Sequence, residues 1–263
     1  MKICRFLNES LPHISYGIIE GDRVRLAAFT HLSNEEEFWL NYRGDNPIEI
    51  PLELVKLLAP VEPSKIVCVG RNYKEHAAEL GNPMPSEPLL FLKAPSSIIG
   101  PEDTIELPPE SQQVEHEGEL GVVIGRRARK LGPDDDPLHY VMGYTCLNDV
   151  TARDLQRKDV QFTRGKSFDT FCPVGPFIET DINSTDLEVI TRVNGETRQQ
   201  GRTSKMAFPV PMLIRYISHI MTLYPGDLIA TGTPAGVSRL STGDTVEVEV
   251  EGIGTLRNTV LGV

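Results

Sequence analysis

The chain of 263 residues has 40% apolar residues, 24% charged residues and a net charge of -11, the composition of a globular protein rather than a disordered or fibrous one. No apolar run approaches the roughly 20 residues that span a bilayer, and the acidic balance argues against nucleic acid, whose phosphates select basic surfaces. The start of the chain has no apolar stretch of signal-peptide length, so a cytoplasmic location is expected, and four widely spaced cysteines without a Cys-x-x-Cys pair suit buried, reduced thiols.

In chain order, residues 16–28 read as two short strands around the turn Glu20-Gly21-Asp22, and 52–58 as a short helix. The stretch from Ala59 to Pro63 interrupts regular structure, which places a boundary near residue 62. The expected organisation is a small N-terminal domain, 1–62, and a larger domain, 63–263. The larger one opens on a strand at 65–69, followed by strands at 117–124, 141–148, 187–193, 227–231 and 245–250. Helices are expected near 73–80, 151–158 and 210–221. Strands outnumber helices, giving a mixed α/β class dominated by strands. Val246 to Val250 alternates apolar and acidic residues without a fault, so one face is buried and its glutamates are solvated. Gly232-Thr233-Pro234-Ala235-Gly236 reads as a tight turn.

Between Gly70 and Gly81 lies a short helix with Asn72 as the predicted N-cap and Glu75 in the capping-box position. His76 and Glu79, three apart, share a face of it. That spacing fits a general base with its orienting carboxylate, and it equally fits a surface helical ion pair. The flanking glycines would let the helix act as a lid.

Acids at alternate positions precede the apolar run ending at Ile124, and a period of two sends Glu115, Glu117 and Glu119 to one side of a strand. His116, Gly118, Leu120, Val122 and Ile124 point the other way. Carboxylates held this close repel unless a cation or several donors compensate them. Oxygen-only ligands favour magnesium, calcium or manganese over zinc; the other reading is a solvated acidic strand end. Asp149 lies at the junction of a strand and the next helix, where a side chain can face a cleft and supply a third carboxylate. Thr151 and Asp154 resemble a helix-capping pair, which makes Asp154 structural.

Taken together, these segments resemble the fumarylacetoacetate hydrolase superfamily, in particular its short acylpyruvase-like members. The likeness runs from Lys65 to the C-terminus through Gly70-Arg-Asn-Tyr with His76 and Glu79, Phe91-Leu-Lys93, Glu117-Gly-Glu119-Leu, Asn148-Asp149-Val-Thr-Ala-Arg-Asp154, Gly165-Lys166-Ser-Phe-Asp-Thr170, Val193-Asn-Gly195 and Gly232-Thr233-Pro. The resemblance implies a β-roll catalytic domain, dimeric through that domain, with a small N-terminal domain. It implies that Glu117, Glu119 and Asp149 ligate Mg2+ (or Mn2+ or Ca2+), that Lys166 lies beside metal and substrate, and that Gln156 and Thr233 contact substrate. His76 and Glu79 match a water-activating pair on a lid helix. Lys93 and Arg71 fall in matching segments as either substrate contacts or supports, and Glu115 has no counterpart among the ligands.

The implied substrate is a small 2-oxo or 2,4-dioxo acid chelated to the metal. Carbon-carbon hydrolysis of an acylpyruvate, decarboxylation of oxaloacetate and keto-enol or double-bond isomerisation would share one site. The presence of both members of the water-activating pair favours hydrolysis. A non-catalytic metabolite-binding protein is the reading from another class, opposed by the retention of His76, Glu79 and Lys166.

Overall fold

The computed structural model describes residues 1–11, 13–27 and 48–262. The strand Gly118–Ile124 is buried along its whole length, and the architecture follows from what covers its two faces. Leu120, Val122 and Ile124 enter one hydrophobic cluster with Val189, Val248 and Val250 of a second sheet and with Leu213, Ile214 and Ile217 of the helix Val210–Ile220. Val123 enters another cluster on the opposite face, with Ile66, Cys68, Cys172, Leu228 and Ala230. Each such side chain contributes about 1.5–3 kcal/mol when fully buried, so this strand is fixed from both sides.

The main sheet runs Glu49–Pro51, Arg23–Leu26, Ser15–Glu20, Lys2–Leu7, Cys172–Glu179, Val141–Asn148, Gly118–Ile124, Leu228–Ala230, Ile66–Gly70, Leu89–Lys93. The N-terminal strands continue it through the antiparallel pairing of Lys2 with Glu179 and Ile3 with Ile178. A second sheet runs Glu196–Arg202, Glu188–Val193, Thr245–Val250, Gly254–Gly262, Thr104–Leu107. The fold is strand-dominated, as the sequence reading expects.

The hairpin forms as Ser15–Glu20 and Arg23–Leu26; the predicted end at Ala28 lies outside the described residues. Residues 52–58 do not make the expected helix. Leu52–Leu54 is one 3-10 turn, and Lys56–Leu58 is a strand paired with Arg5, Phe6 and Leu7; tertiary pairing overrides local propensity there. The other predicted strands and helices are present within two residues at each end. Cys172–Glu179 escapes the sequence reading because Pro173 and Pro176 argue against an interior strand, yet it lies in the middle of the sheet. All four cysteines are buried and free.

Candidate metal centre and active site

The register of two strands brings the separate acidic segments together. Gly118 pairs with Asn148 and Glu119 with Leu147, so Glu117 and Asp149 extend side by side past the strand ends. The Asp149 amide donates to the Glu117 carbonyl at 2.8 Å, and the Asn148 Oδ1 accepts from the Glu117 amide at 2.9 Å. Gly118 is required by a close approach: a Cβ there would stand 2.0 Å from the Thr191 hydroxyl. Glu117, Glu119 and Asp149 each place a carboxylate oxygen within 4.8 Å of the other two, and all three are buried. Glu115 lies apart, on the short strand Val114–Glu115 that pairs with Thr151–Ala152.

Three buried cations meet these acids unevenly. The Lys166 ammonium bridges Glu117 at 2.8 Å and Asp149 at 2.6 Å. Lys93 donates to Asp149 at 2.7 Å and to the Val150 carbonyl at 3.1 Å, which makes it a support for that acid. Arg153 pairs with Glu115 at 2.8 Å and also with Glu117. Among the described residues none of these cations pairs with Glu119, which receives the Gly232 amide at 2.7 Å.

The protonation states follow. Burial alone would raise Glu117, but Lys166 and Arg153 outweigh it and hold its carboxyl well below the usual range. Burial raises Glu119, and repulsion from Asp149 and Glu117 raises it further. Burial alone would lower Lys166, yet Asp149 and Glu117 more than offset this and raise it. Lys166 is therefore an ammonium, a fixed positive charge rather than a base. The residual repulsion at Glu119, the all-oxygen donor set and the 4.8 Å spread are what a hard divalent cation would relieve, so this triad can hold one.

His76 sits on the helix Lys74–Glu79, buried, with Nδ1 3.3 Å from Glu79. Glu79 is itself held by the Gly236 amide at 3.0 and 3.2 Å, so the turn 232–236 orients the carboxylate that orients the imidazole. Asn72 does not cap this helix. Tyr73 occupies the N-cap without a side-chain bond, while the Asn72 amide donates to the Thr231 carbonyl at 2.7 Å and to Phe208 at 3.0 Å. A buried carboxamide flanked by two carbonyls is better satisfied as a cross-brace than as a cap. The predicted Thr151 and Asp154 capping pair is likewise absent. The helix Arg153–Asp159 starts after Ala152 with no side-chain cap, and Asp154 instead accepts from the Ser111 hydroxyl at 2.6 Å and the Gln112 amide at 2.9 Å. Asp154 remains structural.

A cavity of about 330 Å³ joins these groups, lined by His76, Glu117, Glu119, Asp149, Gln156, Lys166 and Thr233 among others. Gln156 accepts from Arg153 at 2.7 Å, and among the described residues its amide nitrogen has no partner, so it can donate. The Thr233 hydroxyl is engaged already, donating to the Gly118 carbonyl and accepting from Gln199, both at 2.7 Å. Glu79 lines an adjoining recess rather than the cavity itself. His116 points away, as the strand period requires, and bonds Gln199 at 3.0 Å and Ser238 at 2.8 Å; burial lowers its pKa and keeps it neutral. The sequence reading singled out neither Arg153 nor Arg157. Arg153, Gln156 and Arg157 stand at i, i+3 and i+4, a spacing that puts all three on one helix face.

The C-terminal model of fumarylacetoacetate (FAA) hydrolase matches residues 65–261. The mitochondrial oxaloacetate tautomerase FAHD2A of Bos taurus is 46% identical over 225 residues, 81% of this chain and 71% of that one. Among solved structures, 5-carboxymethyl-2-hydroxymuconate delta-isomerase from Mycobacterium smegmatis superposes with a TM-score of 0.87 at 41% identity, covering 100% of both chains. Fumarylacetoacetate hydrolase from Exiguobacterium antarcticum does so with a TM-score of 0.88 at 41% identity, again covering 100% of both.

Proposed function

The chain belongs to the fumarylacetoacetate hydrolase family, and from that membership we propose that it is a magnesium-dependent hydrolase of acylpyruvate-type 2,4-dioxo acids, working in the cavity between Glu117 and His76. The observation that carries the reading is the pairing of a buried acidic triad with an oriented imidazole in one cavity. Glu117, Glu119 and Asp149 are the proposed ligands of the cation. A divalent cation there supplies Lewis-acid polarisation of a 2-oxo acid and stabilisation of negative charge developing on its oxygens.

The protein's own groups supply the rest. With Glu79 accepting from Nδ1, the His76 lone pair resides on Nε2, which can take a proton from water. The hydroxide adds to the distal carbonyl of the dioxo acid, and the carbon-carbon bond breaks towards the 2-oxo end. The products are a carboxylic acid and, after proton return to carbon, pyruvate. Lys166 adds a fixed positive charge beside the reacting oxygens, and the Gln156 amide donates to substrate. Thr233 shapes the wall of the cavity. A homodimer, a cytoplasmic location and the division near residue 62 belong to the same proposal.

A second reading is favoured by the names of the tautomerase and isomerase relatives. If His76 moves a proton between carbon and oxygen of the substrate, with no water attacking, the same residues perform keto-enol or double-bond isomerisation. Incubation with magnesium separates the two readings. Release of pyruvate from acetylpyruvate, lost in His76→Ala, is the expected result. Loss of enol absorbance from oxaloacetate without any cleavage of acetylpyruvate would replace hydrolysis with tautomerisation.

A further inference from the structure

Gln199 is the one buried residue of the strand Glu196–Arg202, an edge of the second sheet, and it does not line the cavity. Its carboxamide nevertheless makes four hydrogen bonds, as many as the group offers. Oε1 accepts from the Gly118 amide at 2.9 Å and from His116 Nδ1 at 3.0 Å. Nε2 donates to the Thr233 hydroxyl and to the Pro234 carbonyl, each at 2.7 Å. The orientation is forced, since a backbone amide only donates and a carbonyl only accepts. It also sets the tautomer of His116: Nδ1 carries the proton, and Nε2 accepts from the Ser238 hydroxyl at 2.8 Å.

The identity of these partners matters more than their number. Gly118 stands between Glu117 and Glu119, with its amide held by Gln199 and its carbonyl by the Thr233 hydroxyl at 2.7 Å. The turn 232–236 touches both halves of the site: the Gly232 amide donates to Glu119 at 2.7 Å, and the Gly236 amide donates to Glu79 at 3.0 Å. Gln199 grips two residues between those ends, Thr233 and Pro234. The strand that carries it also leaves the turn little room. A Cβ at Gly236 would stand 2.0 Å from the Arg198 carbonyl oxygen, and one at Gly201 would stand 2.6 Å from the Pro234 Cβ.

We propose that Gln199 is a positioning residue: it fixes the turn 232–236 and, through the two glycine amides at the ends of that turn, sets the His76–Glu79 pair against the acidic triad. This rests on the reading above, in which the triad and the pair act on one substrate. A carboxylate held by a backbone amide keeps its place only while the amide does. Freeing the middle of the turn therefore releases Glu79, and with it the imidazole that Glu79 orients. A misplacement of about 1 Å in such a group can cost on the order of 10²-fold in rate.

Two substitutions separate the ends of the carboxamide. Gln199→Glu keeps an oxygen for the Gly118 amide and for His116 but removes both N–H bonds to the turn, whereas Gln199→Met removes all four. With magnesium, and on whichever of acetylpyruvate and oxaloacetate the parent turns over, Gln199→Glu should lower kcat about tenfold without lowering magnesium affinity. Gln199→Met should lower both. Combined with Glu79→Gln, the loss from Gln199→Glu should not multiply, because both changes act through one carboxylate. The double variant should be about tenfold slower than the parent, where independent effects would make it about a hundredfold slower. In the metal-free protein the NMR signal of the His76 imidazole, assigned by its absence in His76→Ala, should move in both variants while those of His139 and His219 stay. Losses that multiply, or a His76 signal unmoved in both variants, would overturn the positioning role. Failure of the reading beneath it would look different: the parent would turn over neither acid, or His76→Ala would turn over as fast as the parent, and the positioning role would fall with it.

Discussion

Around Glu117 and Asp149 each carboxylate is met by two buried cations, whereas the His76 imidazole, lining the same cavity, has among the described residues a single polar contact, at 3.3 Å to a partly exposed glutamate. The first region is over-determined: its ion pairs and the strand register give it one arrangement. The second is a six-residue helix held through the turn 232–236. Under the proposed function, the groups that would hold a cation sit on paired core strands, and the group that would exchange protons sits on a short helix.

The comparison breaks first at Lys166. Replacing it with methionine strips one cation from both Glu117 and Asp149, and breaking a buried pair this way costs about 3–5 kcal/mol. Denaturant unfolding should register that loss in the metal-free protein, with added magnesium recovering part of it. His76→Ala should instead leave unfolding and magnesium affinity close to the parent while lowering turnover about 10²–10⁴-fold; calorimetry and steady-state kinetics on one preparation separate the two.

Glu119 sharpens the contrast through pH. Burial and then the charges of Asp149 and Glu117 raise its pKa, so the metal-free protein keeps it protonated above the usual carboxylate range. Magnesium requires the carboxylate, so binding expels a proton and affinity falls as pH falls below that raised pKa, by up to about tenfold per pH unit. Titrations in buffers of different ionisation heat should detect the proton, and Glu119→Gln should abolish it along with tight binding. The sign for stability is opposite: the raised pKa favours folding at low pH, and that contribution disappears as pH rises through it in the absence of metal. The smallest effect is expected from Glu79→Gln. It keeps the shape but loses the charge that orients His76, so turnover should drop about tenfold, with magnesium affinity unchanged.

Much of the site was legible because it is local. Three glutamates at alternate positions before an apolar run, an aspartate at a strand end, and a histidine three residues before a glutamate are patterns set by strand and helix periods. The caps at Asn72 and Thr151 misled because the same residue types satisfy other backbone groups when the fold offers them: Asn72 braces Thr231 to Phe208, and the Thr151 hydroxyl donates to the Asp149 carbonyl at 2.9 Å. Glu115 looked equivalent to its neighbours in period. Its separation from the triad came from a break between Val114–Glu115 and Gly118–Ile124 that pairing with Thr151 imposes.

The sequence by itself determined the buried strand, the run of alternating acids, the aspartate at a strand end and the histidine pair, since these depend on side-chain chemistry within single short segments. Only the tertiary structure decided which cation meets which acid and that Lys93 supports Asp149. Those outcomes depend on strand register and on helices packed from residues far apart in the chain, and Coulomb attraction falls with a distance that no local pattern encodes.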